Sequence, residues 1–100
     1  VNIYPAEIEA ALGSLAGVHD CAVFGIPHED FGEELCAYVE PEAGAKLSAQ
    51  AVRQHLGEHV AAFKIPKIIE FRSNLPREDS GKIFKRRLRD PYWQDTGRNI

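Results

Sequence analysis

Residues Val18 to Ile26 constrain the fold of this chain more than any other stretch. They are rich in β-forming side chains, and both alternating sets are apolar: Ala22, Phe24 and Ile26 in one, Cys21 and Val23 in the other. A strand with one face in water alternates apolar with polar, so a strand apolar on both faces must be covered on both. The rest of the chain has to supply the two covers. Pro27 to Gly32 turns the chain, and Leu35, Ala37 and Val39 then alternate as a second strand, expected antiparallel to the first.

The covers read as helices. Pro5 suits a first helical turn, Glu7 suits its positive end, and Ile8, Leu12 and Leu15 recur at helical spacing up to Gly17. Leu47 precedes a capping residue, Ser48, and Val52, Leu56 and Val60 follow at four-residue steps as a second amphipathic helix. Pro66 holds its predecessor out of helical geometry, after which Lys67 to Arg72 predicts a third strand with Ile69 and Phe71 on one face. A short basic helix is expected after the Ser80-Gly81-Lys82 hinge, with Lys82 at the loop-to-helix junction. Asp90 to Ile100 is polar and holds Pro91 and Gly97, which predicts an extended tail with its Tyr92 and Trp93 docked on the domain. The order helix, two strands, helix, strand, helix describes an α+β domain, a small three-stranded sheet flanked by helices.

One hundred residues bury one modest core. No apolar run approaches the roughly 18 residues of a membrane span. The chain contains no methionine, so Val1 is read as lying within a longer parent. Cys21 and Cys36 sit in apolar runs without metal-type spacing and read as buried reduced thiols, as in a cytoplasmic protein, with a cross-strand disulfide left open. Residues 1 to 50 carry nine acidic side chains against Lys46 alone, a balance of −8; residues 51 to 100 carry eleven basic against six acidic, +5. Any anion-binding surface belongs to the second half.

Within that half, LPREDSGKIFKRRL from Leu75 to Leu88 places Lys82 on a Ser-Gly hinge. Gly81 can take backbone angles other residues avoid, and Ser80 suits the start of a helical turn. An ammonium on a flexible stem can reach a phosphate or carboxylate and neutralise charge developing there. A self-contained phosphate loop is excluded, because Pro76 and Ile83 stand where that motif has glycine and Ser or Thr. Lys82, Lys85, Arg86, Arg87 and Arg89 put five cations in eight residues, yet the acidic net charge of −3 and the lack of an aromatic, glycine-rich RNA-binding signature argue against nucleic acid. His55-Leu56-Gly57-Glu58-His59 fits an H-x-x-E-H pattern, but no third protein ligand is signalled and Gly57 weakens the helix, so solvent-facing histidines and no metal are expected. His19 and His28 stand alone.

The motifs together resemble the C-terminal domain of the adenylate-forming (AMP-binding) enzymes. Leu75-Pro76, Ser80-Gly81-Lys82-Ile83, Lys85-Arg86 and Leu88-Arg89 look like the family's C-terminal signature. Asn2-Ile3-Tyr4-Pro5 with Glu7-Ile8-Glu9 resembles the opening of its small domain, Pro27 with Phe31-Gly32-Glu33 its middle, and Phe63-Lys64-Ile65-Pro66-Lys67 its aromatic, lysine and proline block. The form Ser-Gly-Lys-Ile-Phe-Lys-Arg is most similar to acyl-CoA synthetases and fatty-acid-CoA ligases.

That resemblance implies a mobile domain over residues 1–89 with a tail at 90–100, partnered by an N-terminal AMP-binding domain of the same chain. It implies ATP and CoA as substrates with a small carboxylic acid, and Mg2+ held outside this domain. Lys82 is expected to act in adenylation, Ser80 and Gly81 to form its loop, Phe31 and Phe63 to stack on the CoA adenine, Lys67 to meet its phosphates, and the Asn2 edge to guide the thiol. Core packing is a rival role for Phe63, and Ile65 replaces a second cation found in some members. Acetylation of Lys82 by a lysine acetyltransferase is an implied control. The alternatives are a peptide-synthetase adenylation domain and a non-catalytic interaction domain of the same fold.

Overall fold

The computed structural model describes residues 3–94, so Asn2 lies outside the described residues. Helix α1 (Pro5–Gly13) leads into strand β1 (Val18–His28), which turns into β2 (Gly32–Pro41). Helix α2 (Ala49–Gly57) and a single 3-10 turn (Ala62–Lys64) then lead to β3 (Ile68–Phe71), and α3 (Lys85–Trp93) closes the described chain. The α+β architecture inferred from the residues is the one observed. β1 and β2 pair antiparallel with Cys21 opposite Val39 and Phe24 opposite Cys36, and β3 joins β2 in parallel, giving the order β1-β2-β3. The parallel pairing follows from the path of the chain, since α2 carries it over one face and returns it in the same direction.

Both faces of β1 are covered. On one, Val23 packs with Ala37 and Val39 of β2 against Ile8 and Leu12 of α1 and Val52 and Leu56 of α2, all essentially without solvent contact. On the other, Ala22, Phe24, Ile26 and Cys36 pack against Leu75 and Leu88. Ser48 caps α2 by accepting the Ala51 N–H at 3.0 Å. Cys21 and Cys36 are free thiols; they do not face each other across the strands, which removes the disulfide left open by the sequence.

Two local expectations change. Lys82 does sit on a loop ahead of a basic helix, but Ser80 starts no helical turn: α3 begins at Lys85, and residues 77–83 close a hairpin-like loop through an Arg77–Ile83 bridge. Nor is Asp90–Trp93 extended, and the rest of the expected tail, residues 95–100, lies outside the described residues. Asp90–Trp93 completes α3 despite Pro91, whose ring removes one helical hydrogen bond. Side-chain anchoring offsets that loss: Trp93 Nε1–H donates to the Gly25 carbonyl at 3.0 Å, and the Tyr92 and Tyr38 hydroxyls lie 2.8 Å apart. The docking of Tyr92 and Trp93 is as the sequence suggests. Among the described residues no helix is long and apolar enough to cross a membrane.

Candidate functional site

The turn between β1 and β2 holds Phe31 out in solvent, 81 % exposed, because His28 organises the backbone beneath it. Its Nδ1 accepts the N–H groups of Asp30 at 3.1 Å and Phe31 at 3.2 Å, its ring stacks on Phe31 with centroids 4.8 Å apart, and its Nε2 lies 3.7 Å from Glu34. Gly32 completes the turn at φ +80°. Phe63 is 58 % exposed on the 3-10 turn, which removes core packing as its role. That turn is tied to α1 by Lys64, whose ammonium meets Glu7 at 2.9 Å.

Phe31, Phe63 and Lys67 line one groove of about 570 Å³, together with Ile3, His28 and Ile65. Two exposed aromatic faces and an exposed cation suit a planar, phosphate-bearing ligand. Glu33 and Glu34 form part of the wall, so a polyphosphate would be confined to the Lys67 side. Glu33 folds over Gly25, where an added Cβ would collide with its carboxylate. Arg53 donates to the Lys67 carbonyl at 2.7 Å and fixes the backbone that carries the cation.

Lys82 stands elsewhere. Its loop is closed by Glu78 N–H to the Lys82 carbonyl at 2.8 Å and Gly81 N–H to the Glu78 carbonyl at 2.9 Å, with Gly81 at φ +92°. Ser80 Oγ accepts the Lys82 N–H at 3.4 Å, a local loop contact and not a helix cap. The Lys82 side chain is exposed, and among the described residues no side chain or carbonyl engages its ammonium. Arg77 clamps the loop base: it meets Asp20 at 2.8 Å, Glu40 at 3.0 Å and the Gly81 carbonyl at 3.0 Å. The bond to Asp20, with the charges of Asp20 and Glu40, holds the guanidinium even more firmly protonated than usual.

Beside Lys82 the open edge of β1 is closed by Glu9, whose Oε2 accepts the Val23 N–H at 2.8 Å and meets Lys85 Nζ at 2.7 Å. This use of Glu9, the Arg77 clamp and the His28 turn join residues 14 to 76 positions apart, or rest on a lone histidine, and no motif spacing announces them. Cys21, in the same concavity, is no nucleophile at neutral pH: burial pushes its thiol up to about 12, with Glu9 and Asp20 adding to the shift and Lys85 opposing it.

The loop and the groove lie at opposite ends of one strand. Lys82 shares its concavity with Cys21, the groove is reached at His28, and seven strand residues span roughly 23 Å.

His55 is not solvent-facing as expected. Its Nε2 lies 2.9 Å from both the Ala11 carbonyl and Ser14 Oγ, tying α2 to the end of α1, while His59 and Glu58 are exposed.

Comparison with known proteins is consistent across sequence and structure. The AMP-binding enzyme C-terminal domain family matches residues 7–82. A fatty acid acyl-carrier-protein ligase, ScoC of Streptomyces coeruleorubidus, is 40% identical over 99 residues, 99% of this chain and 19% of its own. The long-chain-fatty-acid CoA ligase FadD13 of Mycobacterium tuberculosis is 38% identical over 91 residues, 91% of this chain and 18% of its own. The crystal structure of ATP-bound MatB from Rhodopseudomonas palustris superposes with a TM-score of 0.85 at 39% identity, over 98% of this chain and 19% of that one. The chain thus spans about a fifth of the length of the relatives it matches.

Proposed function

The chain belongs to the family of AMP-binding enzyme C-terminal domains, and on that premise we propose that it is the mobile lid of an ATP-dependent acyl-CoA synthetase. The parent enzyme would join a carboxylic acid to ATP, releasing pyrophosphate, and then transfer the acyl group to a thiol, releasing AMP. The observation that carries this reading is the exposed Lys82, whose ammonium meets no side chain or carbonyl among the described residues, on a loop clamped by Arg77.

In the first half-reaction a carboxylate oxygen attacks the α-phosphorus of ATP and pyrophosphate departs. Lys82, reaching from its loop, would bridge carboxylate and nucleotide and offset charge at the moment of transfer. No proton moves through it; its contribution is electrostatic. In the second, the thiol attacks the acyl carbonyl and AMP leaves. The Lys82 loop and the aromatic groove open as separate concavities of the domain, which supports a rotation against its N-terminal partner between the two steps.

Free CoA would place its adenine between Phe31 and Phe63 and its phosphates toward Lys67, with the Asn2 edge guiding the pantetheine arm. The likeness to a carrier-protein ligase favours a second reading, in which the same thiol arrives on an acyl carrier protein. Magnesium belongs with the nucleotide phosphates on the partner domain: the cluster His55, Glu58, His59 is imidazole-rich, and Mg2+ prefers oxygen. A cytoplasmic setting and control by acetylation of Lys82, which would delete the charge, fit the same reading.

The test is acid-dependent pyrophosphate release by the parent enzyme over a panel of fatty and aromatic acids, with free CoA and a carrier protein compared as acceptors. Release that collapses in Lys82→Ala supports the assignment and identifies the acid class. Release that survives the substitution removes Lys82 from the step, and no release from a folded enzyme favours a non-catalytic domain.

A further inference from the structure

We propose that His55, Glu58 and His59 form a binding site for a divalent transition-metal ion of the zinc, cobalt or nickel class at the C-terminal end of α2. One donor atom from each of the three lies within 4.8 Å of the other two. The histidine rings, one helical turn apart, have centroids 4.3 Å apart at an interplanar angle of 33°.

Hydrogen bonds prepare both rings for an ion. His59 Nδ1 lies 2.8 Å from the His55 carbonyl, which can only accept, so Nδ1 carries the proton and Nε2 keeps its lone pair. His55 Nε2 lies 2.9 Å from the Ala11 carbonyl, again only an acceptor, so its proton is there and Nδ1 is left as the donor atom. Ser14 Oγ gives its own proton to Ala11 at 2.7 Å and is a second acceptor for the His55 N–H at 2.9 Å. A ring N–H given to a backbone carbonyl, fixing tautomer and orientation, is the arrangement that metal-binding histidines use.

Two imidazoles and a carboxylate select a borderline ion over magnesium or calcium, which take oxygen sets. Donors around a tetrahedral ion stand roughly 3.4 Å apart, given metal–nitrogen distances of about 2.0–2.1 Å. Closing from 4.8 Å takes rotation of Glu58 and a small swing of His59 about its bond to the His55 carbonyl, both side chains being exposed, while His55 stays fixed on α1. Solvent or a partner side chain would complete the coordination. An ion held there would brace the end of α2, whose His55 is already bonded to the end of α1.

The test is a Co2+ titration of the full chain, without a histidine tag and stripped of metal, in buffer containing millimolar Mg2+. The expected result is one equivalent of Co2+ giving visible absorption bands, displacement by Zn2+, and an unfolding midpoint raised by roughly 10 °C at a hundredfold excess over Kd. His59→Ala, which removes an exposed ring and no core contact, weakens binding at least tenfold, and Glu58→Gln weakens it less. Ser14→Ala, away from the ion, weakens it by a few-fold. Absence of saturable binding at millimolar Co2+, or affinity unchanged in both His59→Ala and Glu58→Gln, would overturn the proposal and leave His59 as a helix-capping side chain only.

Discussion

Arg77 Nη1 lies 2.8 Å from Asp20 Oδ2, across 57 residues of sequence, and this pair fastens the base of the Lys82 loop to strand β1. A second nitrogen of the same guanidinium meets Glu40 on β2 at 3.0 Å, so the loop is referenced to two strands at once. Its position follows the rigid sheet, which is what a lysine serving from a flexible stem needs.

Removing the clamp should therefore blur the loop without unfolding the domain. Arg77→Ala in the parent enzyme is expected to slow adenylation by roughly tenfold, because misplacement of a positioned charge costs rate directly. The thermal midpoint should hardly move, as exposed ion pairs contribute little to stability. Stopped-flow pyrophosphate release and calorimetry on one preparation check both; a large fall in midpoint with unchanged adenylation would contradict this role.

The groove makes the opposite prediction. Phe31→Ala, Phe63→Ala and Lys67→Ala should each raise KM for CoA about tenfold, the loss of one stacking or charge contact, while adenylation is unchanged. Phe31 and Phe63 are exposed, so the aromatic variants should fold normally. His28→Ala should mimic Phe31→Ala, since its Nδ1 holds the turn. A carrier protein as true acceptor would show itself by KM values indifferent to Phe63.

Trp93 tests the correction at the end of the chain. It is 7 % exposed and bonded to Gly25, so Trp93→Ala should cost about 3–5 kcal/mol in chemical denaturation. An extended, weakly docked tail would lose under about 1 kcal/mol.

Stability should also fall in alkali. Burial pushes Cys21 up to about 12 and Cys36 to about 11, from 9.0. The folded chain thus keeps protons that the unfolded chain releases near 9, so this contribution is complete below that value and is lost as pH rises through the folded values. Urea midpoints should start to drop near pH 9 and keep falling toward about pH 11 to 12, and less steeply in Cys21→Ala and Cys36→Ala. A flat profile would show that neither thiol is as buried as described.

These contrasts also mark what was legible beforehand. The two-faced apolar pattern of Val18 to Ile26 called for covers on both sides, and the Leu47-Ser48 pair located α2, because both are local rules of periodicity and capping. The direction of β3 was not readable: four residues carry no register, and the path over α2 decides it. Helix α3 outran Pro91 because Tyr92 and Trp93 find partners on Tyr38 and Gly25, which no window around Pro91 contains. Lys82, Phe31, Phe63 and Lys67 were singled out as candidates through motif resemblance, and the structure gathers the last three around one groove. Arg77, Glu9 and His28 act through distant or backbone partners and left no trace in spacing.

The central claim is that Lys82 serves adenylation alone. The direct measurement supplies the parent enzyme and Lys82→Ala with either acid plus ATP, or purified acyl-adenylate plus CoA, and follows each half-reaction separately. The account predicts at least a hundredfold loss in pyrophosphate release and thioester formation within about threefold of the parent. Equal losses in both half-reactions would contradict it.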